Sequence, residues 1–121
     1  MIGSDMRKIQ NILFAIIVFA LTGCNETVSY EFEHASKEDS LAPIFSTSCK
    51  YRCGTHDVDL GRLDCVFDLQ SDSSEIMSEL VAKYGEAGWR LVRRERGRLG
   101  FRLGSKCVEI EVKEAVYVIV E

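Results

Sequence analysis

Apolar and polar positions follow two distinct periods along the second half of the chain. Residues 63–69 read Leu-Asp-Cys-Val-Phe-Asp-Leu, and this alternation predicts a strand with one buried face. Residues 73–85 carry apolar side chains three and four positions apart, which predicts an amphipathic helix. Asp72 is the expected N-cap of this helix, with Glu75 three residues further on. Residues 28–33 also alternate and predict a first strand or a tether.

Further apolar segments follow the helix and are separated by glycine or charged turn residues. They cover residues 89–93, 99–103, 108–112 and 115–120. Such short connections join antiparallel strands, so the predicted fold is α+β, with a small antiparallel sheet of four or five strands and one amphipathic helix packed on one face. The last segment is almost uniformly apolar and predicts a central strand or a partner-facing one. Residues 34–48 and 49–61 lack a clear period and predict loops.

The N-terminal segment has the pattern of an export signal. Arg7 and Lys8 precede an apolar run over residues 12–21, and Leu21-Thr22-Gly23-Cys24 completes it. This run of ten residues is about half of the roughly 20 that a membrane-spanning helix needs, so a cleaved segment is favoured over a permanent anchor. The segment resembles the precursor of a bacterial lipoprotein, and Leu21-Thr22-Gly23-Cys24 matches the lipobox of that family.

This resemblance implies a maturation pathway and a location. The Cys24 thiol would receive a diacylglycerol, the chain would be cut before it, and the new amino group would be acylated. Asn25, rather than Asp, after the cysteine favours the inner leaflet of an outer membrane, facing the periplasm. The expected organisation is a signal peptide over residues 1–23, a lipidated tether with or without a first strand over 24–46, and a single α+β domain over 47–121.

The remaining cysteines bear on how such a small body is stabilised. Four follow Cys24 in the mature chain, namely Cys49, Cys53, Cys65 and Cys107. An even number in a small exported domain predicts two disulfides, for which three pairings are open. Cys49, Cys53, His56 and Cys65 are an alternative set of zinc ligands. An oxidising compartment competes for the same sulfurs, so neither a metal nor another cofactor is expected.

Charge is unevenly distributed along the chain. The formal net charge of the full chain is -4, which argues against a nucleic-acid partner, and export argues against it as well. Residues 88–106 nevertheless hold six arginines and one lysine against the single Glu95, a local net charge of +6. The planar guanidinium favours bidentate contacts with carboxylate or phosphate. The candidate partner-binding residues are therefore Arg90, Arg93, Arg94, Arg96, Arg98 and Arg102.

This basic segment has two interpretations. It is either a docking face for an anionic partner, above all an acidic envelope protein, or a solvated hairpin whose arginines pair with acidic residues of other segments. The acidic candidates for the second interpretation are Glu109, Glu111, Glu31 and Glu33.

A second likeness concerns the mature domain. The helix followed by Gly88-Trp89-Arg90-Leu91-Val92 is similar to a small uncharacterised bacterial domain family in which a helix runs into Gly-Trp-x-Leu-Val and an antiparallel sheet. That likeness implies the architecture and no activity.

The chemistry of the sequence favours binding over catalysis. It contains no paired carboxylates in an apolar setting, no Ser-His-Asp arrangement and no glycine-rich phosphate loop, so neither an enzyme nor a small-molecule substrate is expected. The favoured function is a lipid-anchored periplasmic accessory lipoprotein that acts by protein–protein contact, of the assembly, piloting, immunity, inhibitor or exclusion type. The alternative is a structural or envelope-maintenance lipoprotein that contacts lipid or peptidoglycan.

Overall fold

This computed structural model describes residues 28–121, which form antiparallel strands and helices. The strands are β1 Val28–Ser29, β2 Cys49–Asp57, β3 Arg62–Leu69, β4 Arg90–Glu95, β5 Arg98–Leu103, β6 Lys106–Val112 and β7 Val116–Val120. The helices are α1 Phe32–Ala35, α2 Ala42–Phe45 and α3 Ser73–Glu86. The predicted α+β class and antiparallel sheet are confirmed, but within residues 28–121 the sheet has seven strands and is accompanied by three helices.

The strands form one sheet in the order β1-β2-β3-β7-β6-β5-β4, and every neighbouring pair is antiparallel. The apolar strand β7 lies in the middle, which confirms the central position predicted for residues 115–120. A central strand has both backbone edges paired, and three of its side chains, Val116, Val118 and Val120, are buried. Among the described strands, the two edges of the sheet are β1 and β4.

Strand β2 occupies a segment that was predicted to be a loop. Its sequence offers few apolar side chains, and a β-bulge between Tyr51 and Cys53 interrupts its alternation. The strand forms because Tyr51 lies opposite Phe67 in the register, with their ring centroids 5.3 Å apart. The loop predicted over residues 34–48 likewise contains helical turns, and the strand predicted over 28–33 ends at Ser29.

Helix α3 begins and packs much as its sequence predicts. Asp72 has an extended backbone and the helix starts at Ser73, although the Asp72 side chain makes no capping hydrogen bond. Ile76, Leu80 and Tyr84 are fully buried against the sheet. The Tyr84 ring stacks on Phe101 with centroids 4.4 Å apart, and its hydroxyl donates to the Ser40 carbonyl at 2.6 Å.

The hydrophobic core lies between the helices and one face of the sheet. Ala35, Leu41 and Ile44 are fully buried in it, so the packed body begins before residue 47, the predicted start of the domain. Along β3 the side chains of Leu63, Cys65 and Phe67 face this core. The intervening residues face the opposite side of the sheet, which no helix of residues 28–121 covers.

Candidate functional site

The hairpin formed by β4 and β5 stands at one edge of the sheet. All six residues of β4 are exposed, and β5 is its only neighbouring strand within residues 28–121. Gly97 forms the turn with a φ of +70°, and its carbonyl accepts a hydrogen bond from the Val112 N–H at 2.8 Å. The turn is therefore held against the end of β6, while the outer backbone edge of β4 faces solvent. We call residues 90–103 the arginine hairpin.

Two of the six predicted arginines form ion pairs across the sheet. Arg98 lies directly opposite Glu111, with Nε 3.5 Å from a carboxylate oxygen. Arg93 reaches over Gly100 to Glu109, with a nitrogen-to-oxygen distance of 3.4 Å. A Cβ atom at Gly100 would lie 3.1 Å from the Glu109 carboxylate and 3.2 Å from the Arg93 Cβ, so glycine leaves the path for this contact open.

The other arginines of the hairpin have no carboxylate partner among the described residues. Within residues 28–121, Arg90, Arg94 and Arg96 make no ion pair or side-chain hydrogen bond, and Arg102 contacts the Cys107 sulfur at 3.7 Å. The predicted pairing with Glu109 and Glu111 is thus found. The predicted pairing with Glu31 and Glu33 is not, because those residues lie next to and within α1, which packs near β2.

Exposed apolar side chains accompany the unpaired arginines. Leu91, Val92 and Leu103 are 39%, 52% and 45% exposed, and all three belong to the arginine hairpin. Single exposed apolar residues are common on protein surfaces, but apolar side chains next to arginine are the composition of protein–protein interfaces. In the sequence, Leu91 and Val92 belong to the Gly-Trp-x-Leu-Val likeness and Leu103 to an apolar segment, and neither pattern indicates a binding surface. Their exposure follows from the edge position of β4, which the pattern of the segment alone does not reveal.

The predicted disulfides are wrong for three of the four described cysteines, and of these four only Cys53 is disulfide-bonded. The free thiols are Cys49, Cys65 and Cys107. Cys65 lies opposite Gly54 and is buried in the core, whereas Cys53 lies opposite Val66, whose neighbours in β3 are the buried ones. Adjacent positions of a strand point to opposite faces, so Cys53 and Cys65 lie on opposite sides of the sheet.

Cys49 and Cys107 lie too far from the other described cysteines to form a disulfide. Cys49 is four residues from Cys53 along β2, which is about 13 Å in a strand and beyond the roughly 7 Å limit between bridged Cα atoms. Cys107 lies in β6, two strands from β3 in the sheet order and about 10 Å away at the usual strand spacing. The register therefore excludes these pairings without a change of backbone.

The same geometry bears on the zinc alternative. No group of three or more His, Cys, Asp or Glu side chains within residues 28–121 is arranged to hold a metal ion. Burial raises the pKa of the Cys65 thiol, and burial raises that of Cys49 as well. Both thiols are protonated near neutral pH, and a protonated thiol is a poor nucleophile and metal ligand. The ring of His56 packs against Tyr30 at 5.7 Å instead.

The predicted lipidation site, Cys24, and the predicted signal peptide over residues 1–23 lie outside the described residues. Within residues 28–121, no helix combines the length and the hydrophobicity that crossing a membrane requires. Comparisons with protein-family models, with curated proteins and with solved structures find no match to this chain.

Proposed function

We propose that this protein is a lipid-anchored accessory protein of the bacterial envelope that binds an acidic protein partner through its arginine hairpin. The observation that carries the proposal is the set of three guanidinium groups, on Arg90, Arg94 and Arg96, that face solvent at a sheet edge without a carboxylate partner in the described chain. Arginine side chains in this state are ready to form bidentate contacts with carboxylates.

The charge distribution supports a partner that approaches from the hairpin side. Residues 88–106 carry a net charge of +6, whereas the rest of the chain from Cys24 onward carries 17 acidic and 6 basic residues. An acidic protein surface is attracted to the hairpin and repelled by the remainder, which fixes its orientation. Leu91 and Val92 add apolar area beside the arginines, and that area gains free energy when the partner removes it from water.

The lipid anchor is supported by the lipobox and by the charged and apolar residues that precede it. Acylation of Cys24 would hold the sheet at the inner leaflet of the outer membrane, in the periplasm. Several acyl chains at about 0.8 kcal/mol per buried CH₂ make such an attachment effectively permanent.

The sulfur of Cys24 has a competing use. The free thiols are Cys49, Cys65 and Cys107, so a disulfide between Cys24 and Cys53 is the remaining pairing open to this chain. One sulfur cannot carry both a thioether-linked lipid and a disulfide. Intact-mass measurement on protein extracted from the producing membranes distinguishes them. Acylation gives a chain that begins at Cys24 and carries added lipid mass, whereas oxidation removes two hydrogens and adds nothing.

Binding through the hairpin is tested by charge reversal in the native membrane. We expect the double variant Arg94→Glu with Arg96→Glu to reduce crosslinking to the partner by at least about tenfold, the loss of roughly 1.4 kcal/mol. The melting temperature should stay unchanged, because neither side chain forms an ion pair in the described chain. The readout is the amount of the crosslinked species, which mass spectrometry identifies.

Lys37→Glu with Lys50→Glu is the matched control. Both lysines are exposed and form no ion pair in residues 28–121, and they belong to the half of the chain that precedes β3. The control changes the net charge by the same amount and should leave crosslinking intact. Equal loss in both variants would point to overall charge rather than to the hairpin. Recovery of lipid or peptidoglycan in place of a protein would instead favour the envelope-maintenance alternative.

A further inference from the structure

The first described strand, β1, begins beside the turn between β2 and β3. Val28 pairs with His56, one residue before β2 ends at Asp57. Because β1 runs antiparallel to β2, the amino end of Val28 points toward this turn. The turn comprises residues 58–61, and we call these residues the apolar tip.

The tip has a defined shape and an unusual surface. The Leu60 N–H donates to the Asp57 carboxylate at 3.1 Å, and the Gly61 N–H donates to the Val58 carbonyl at 3.3 Å. Leu60 and Val58 are 72% and 68% exposed, and with Val28 they are the three most exposed large apolar side chains in residues 28–121. The turn thus holds two apolar side chains in water rather than folding them onto the core.

The position of the predicted anchor indicates what these side chains meet. Cys24 precedes Val28 by four residues, which span at most about 14 Å when fully extended. An acylated Cys24 lies at the membrane surface, so Val28, which begins the strand beside the tip, lies within that reach of the same surface. Apolar side chains that reach the boundary between headgroups and acyl chains gain free energy by leaving water.

We propose that Val58 and Leu60 insert into the surface of a zwitterionic phospholipid bilayer and form a second membrane contact beside the lipid anchor. This inference rests on the proposed anchor. Asp57 and Asp59 flank the two apolar side chains, and their carboxylates would be repelled by anionic headgroups, which selects zwitterionic lipid.

Two points of attachment orient the body. The turn of the arginine hairpin, at Arg96 and Gly97, belongs to the opposite edge of the sheet. It also lies toward the opposite end of the strands. The register partners across the sheet place Glu95, the last residue of β4, level with Cys53. Cys53 is four residues from Asp57, where β2 ends beside the tip. A body held at the tip therefore presents Arg94 and Arg96 to the periplasm.

The test measures the depth of an added tryptophan. Acylated full-length mature protein carrying Leu60→Trp is reconstituted in phosphatidylcholine vesicles with and without brominated acyl chains, which quench tryptophan at short range. Lys113→Trp is the matched control, at the exposed turn between β6 and β7 at the far end of the sheet. The unsubstituted protein supplies the background of Trp89, which is 6% exposed. We expect loss of most of the added emission for Leu60→Trp and little loss for Lys113→Trp.

A further variant checks that the tip sets the orientation. Adding Val58→Asp and Leu60→Asp to Lys113→Trp should increase the quenching of Trp at 113, because the body then rotates about a single anchor. Both substituted side chains are exposed, and far-ultraviolet circular dichroism verifies the fold.

The outcomes separate this inference from the anchor itself. Protein that floats with vesicles and has the acylated mass, but shows no quenching of Trp at 60, overturns tip insertion and leaves the anchor standing. Equal quenching at both positions also overturns it, since no orientation is then fixed. Protein that neither floats nor carries lipid overturns the anchor and the tip contact together. Concentration-dependent doubling of the mass that Leu60→Asp abolishes would assign the tip to a second copy of the chain instead.

Discussion

The β2–β3 hairpin and the arginine hairpin have the same local features but occupy different positions in the sheet. Each has a β-bulge in its first strand and a glycine of positive φ in its turn, +64° at Gly61 and +70° at Gly97. β3 has a strand on both sides, and β2 packs against α1 and α2, whereas β4 is an edge strand with every residue exposed. Position in the sheet, rather than local construction, therefore decides which hairpin stabilises the fold and which is free to bind.

The two hairpins also differ in how many of their arginines form ion pairs. In the β2–β3 hairpin, Arg52 pairs with Asp68 and Arg62 pairs with Asp64. In the arginine hairpin, Arg94 and Arg96 have no partner in the described chain. Surface ion pairs contribute about 0–1 kcal/mol each, so unpaired arginines lower stability little and leave their full hydrogen-bonding capacity for a partner.

Removal of a core ring from the central hairpin should have the largest effect. Phe67 is fully buried, and its ring lies 5.3 Å from those of Phe45 and Tyr51. We expect Phe67→Ala to lower the free energy of unfolding by about 3–5 kcal/mol. Val92→Ala in the exposed strand β4 should change it by less than about 0.5 kcal/mol. Urea denaturation at neutral pH measures both. A similar loss in the two variants would contradict the division between the hairpins.

The two glycine turns offer a finer comparison. A left-handed backbone costs about 1–2 kcal/mol for a residue with a Cβ, so alanine at either turn is destabilising. At Gly97 a Cβ would also lie 3.2 Å from the Val112 carbonyl oxygen, whereas at Gly61 no atom of the described residues lies within 4 Å. We expect Gly97→Ala to lose more stability than Gly61→Ala in thermal unfolding. The reverse order would show that the Gly97 turn is not held against β6.

The smallest effect concerns the ion pair that joins the N-terminal helices to β6. Burial raises the pKa of Glu38, but hydrogen bonds from Lys106 at 3.2 Å and from the Ser40 N–H at 3.4 Å outweigh it, and the net pKa is lowered. A lowered folded pKa gives stability that is present above the ordinary glutamate value and lost as the pH falls through the folded value. Glu38→Gln should therefore cost up to about 1 kcal/mol at pH 7.

The pH dependence distinguishes this contact from simple packing. The difference between the unsubstituted protein and Glu38→Gln should vanish in acid, once Glu38 itself is protonated. Glu33→Gln is the control, since Glu33 is exposed and forms no ion pair in residues 28–121. A deficit for Glu38→Gln that persists unchanged in acid would assign the effect to packing. Urea unfolding at pH 7 and in acid provides the measurement.

Strongly periodic segments were predictable because their own side chains contain the signal. Helix α3 and strand β3 lie close to where their apolar periods place them, and the uniformly apolar β7 is central as expected. Strand β2 was not predictable. Its extended form depends on Tyr51 meeting Phe67 in another strand, and a bulge disrupts the alternation that would have revealed it.

The candidate site was half predictable for the same reason. The six arginines could be counted along the chain, but the two that are neutralised, Arg93 and Arg98, depend on strand register. Arg93 reaches Glu109 because Gly100 of the intervening strand has no side chain. The disulfide prediction failed for Cys49, Cys65 and Cys107 on the same ground, because the number of cysteines carries no information about which face of a sheet each one occupies.

The sequence alone determined the period of helix α3 and strand β3, the surplus of arginine between residues 88 and 106, and the charged and apolar run that ends at Cys24. Each of these features depends only on residues close together in the chain, so it can be read from their steric and hydrophobic properties. Only the tertiary structure decided which strand is an edge, which charges are neutralised, which thiols stay apart, and that the apolar tip lies beside Val28. Each of these depends on contacts between segments distant in sequence, and the free energy of such contacts is defined only once the whole sheet has formed.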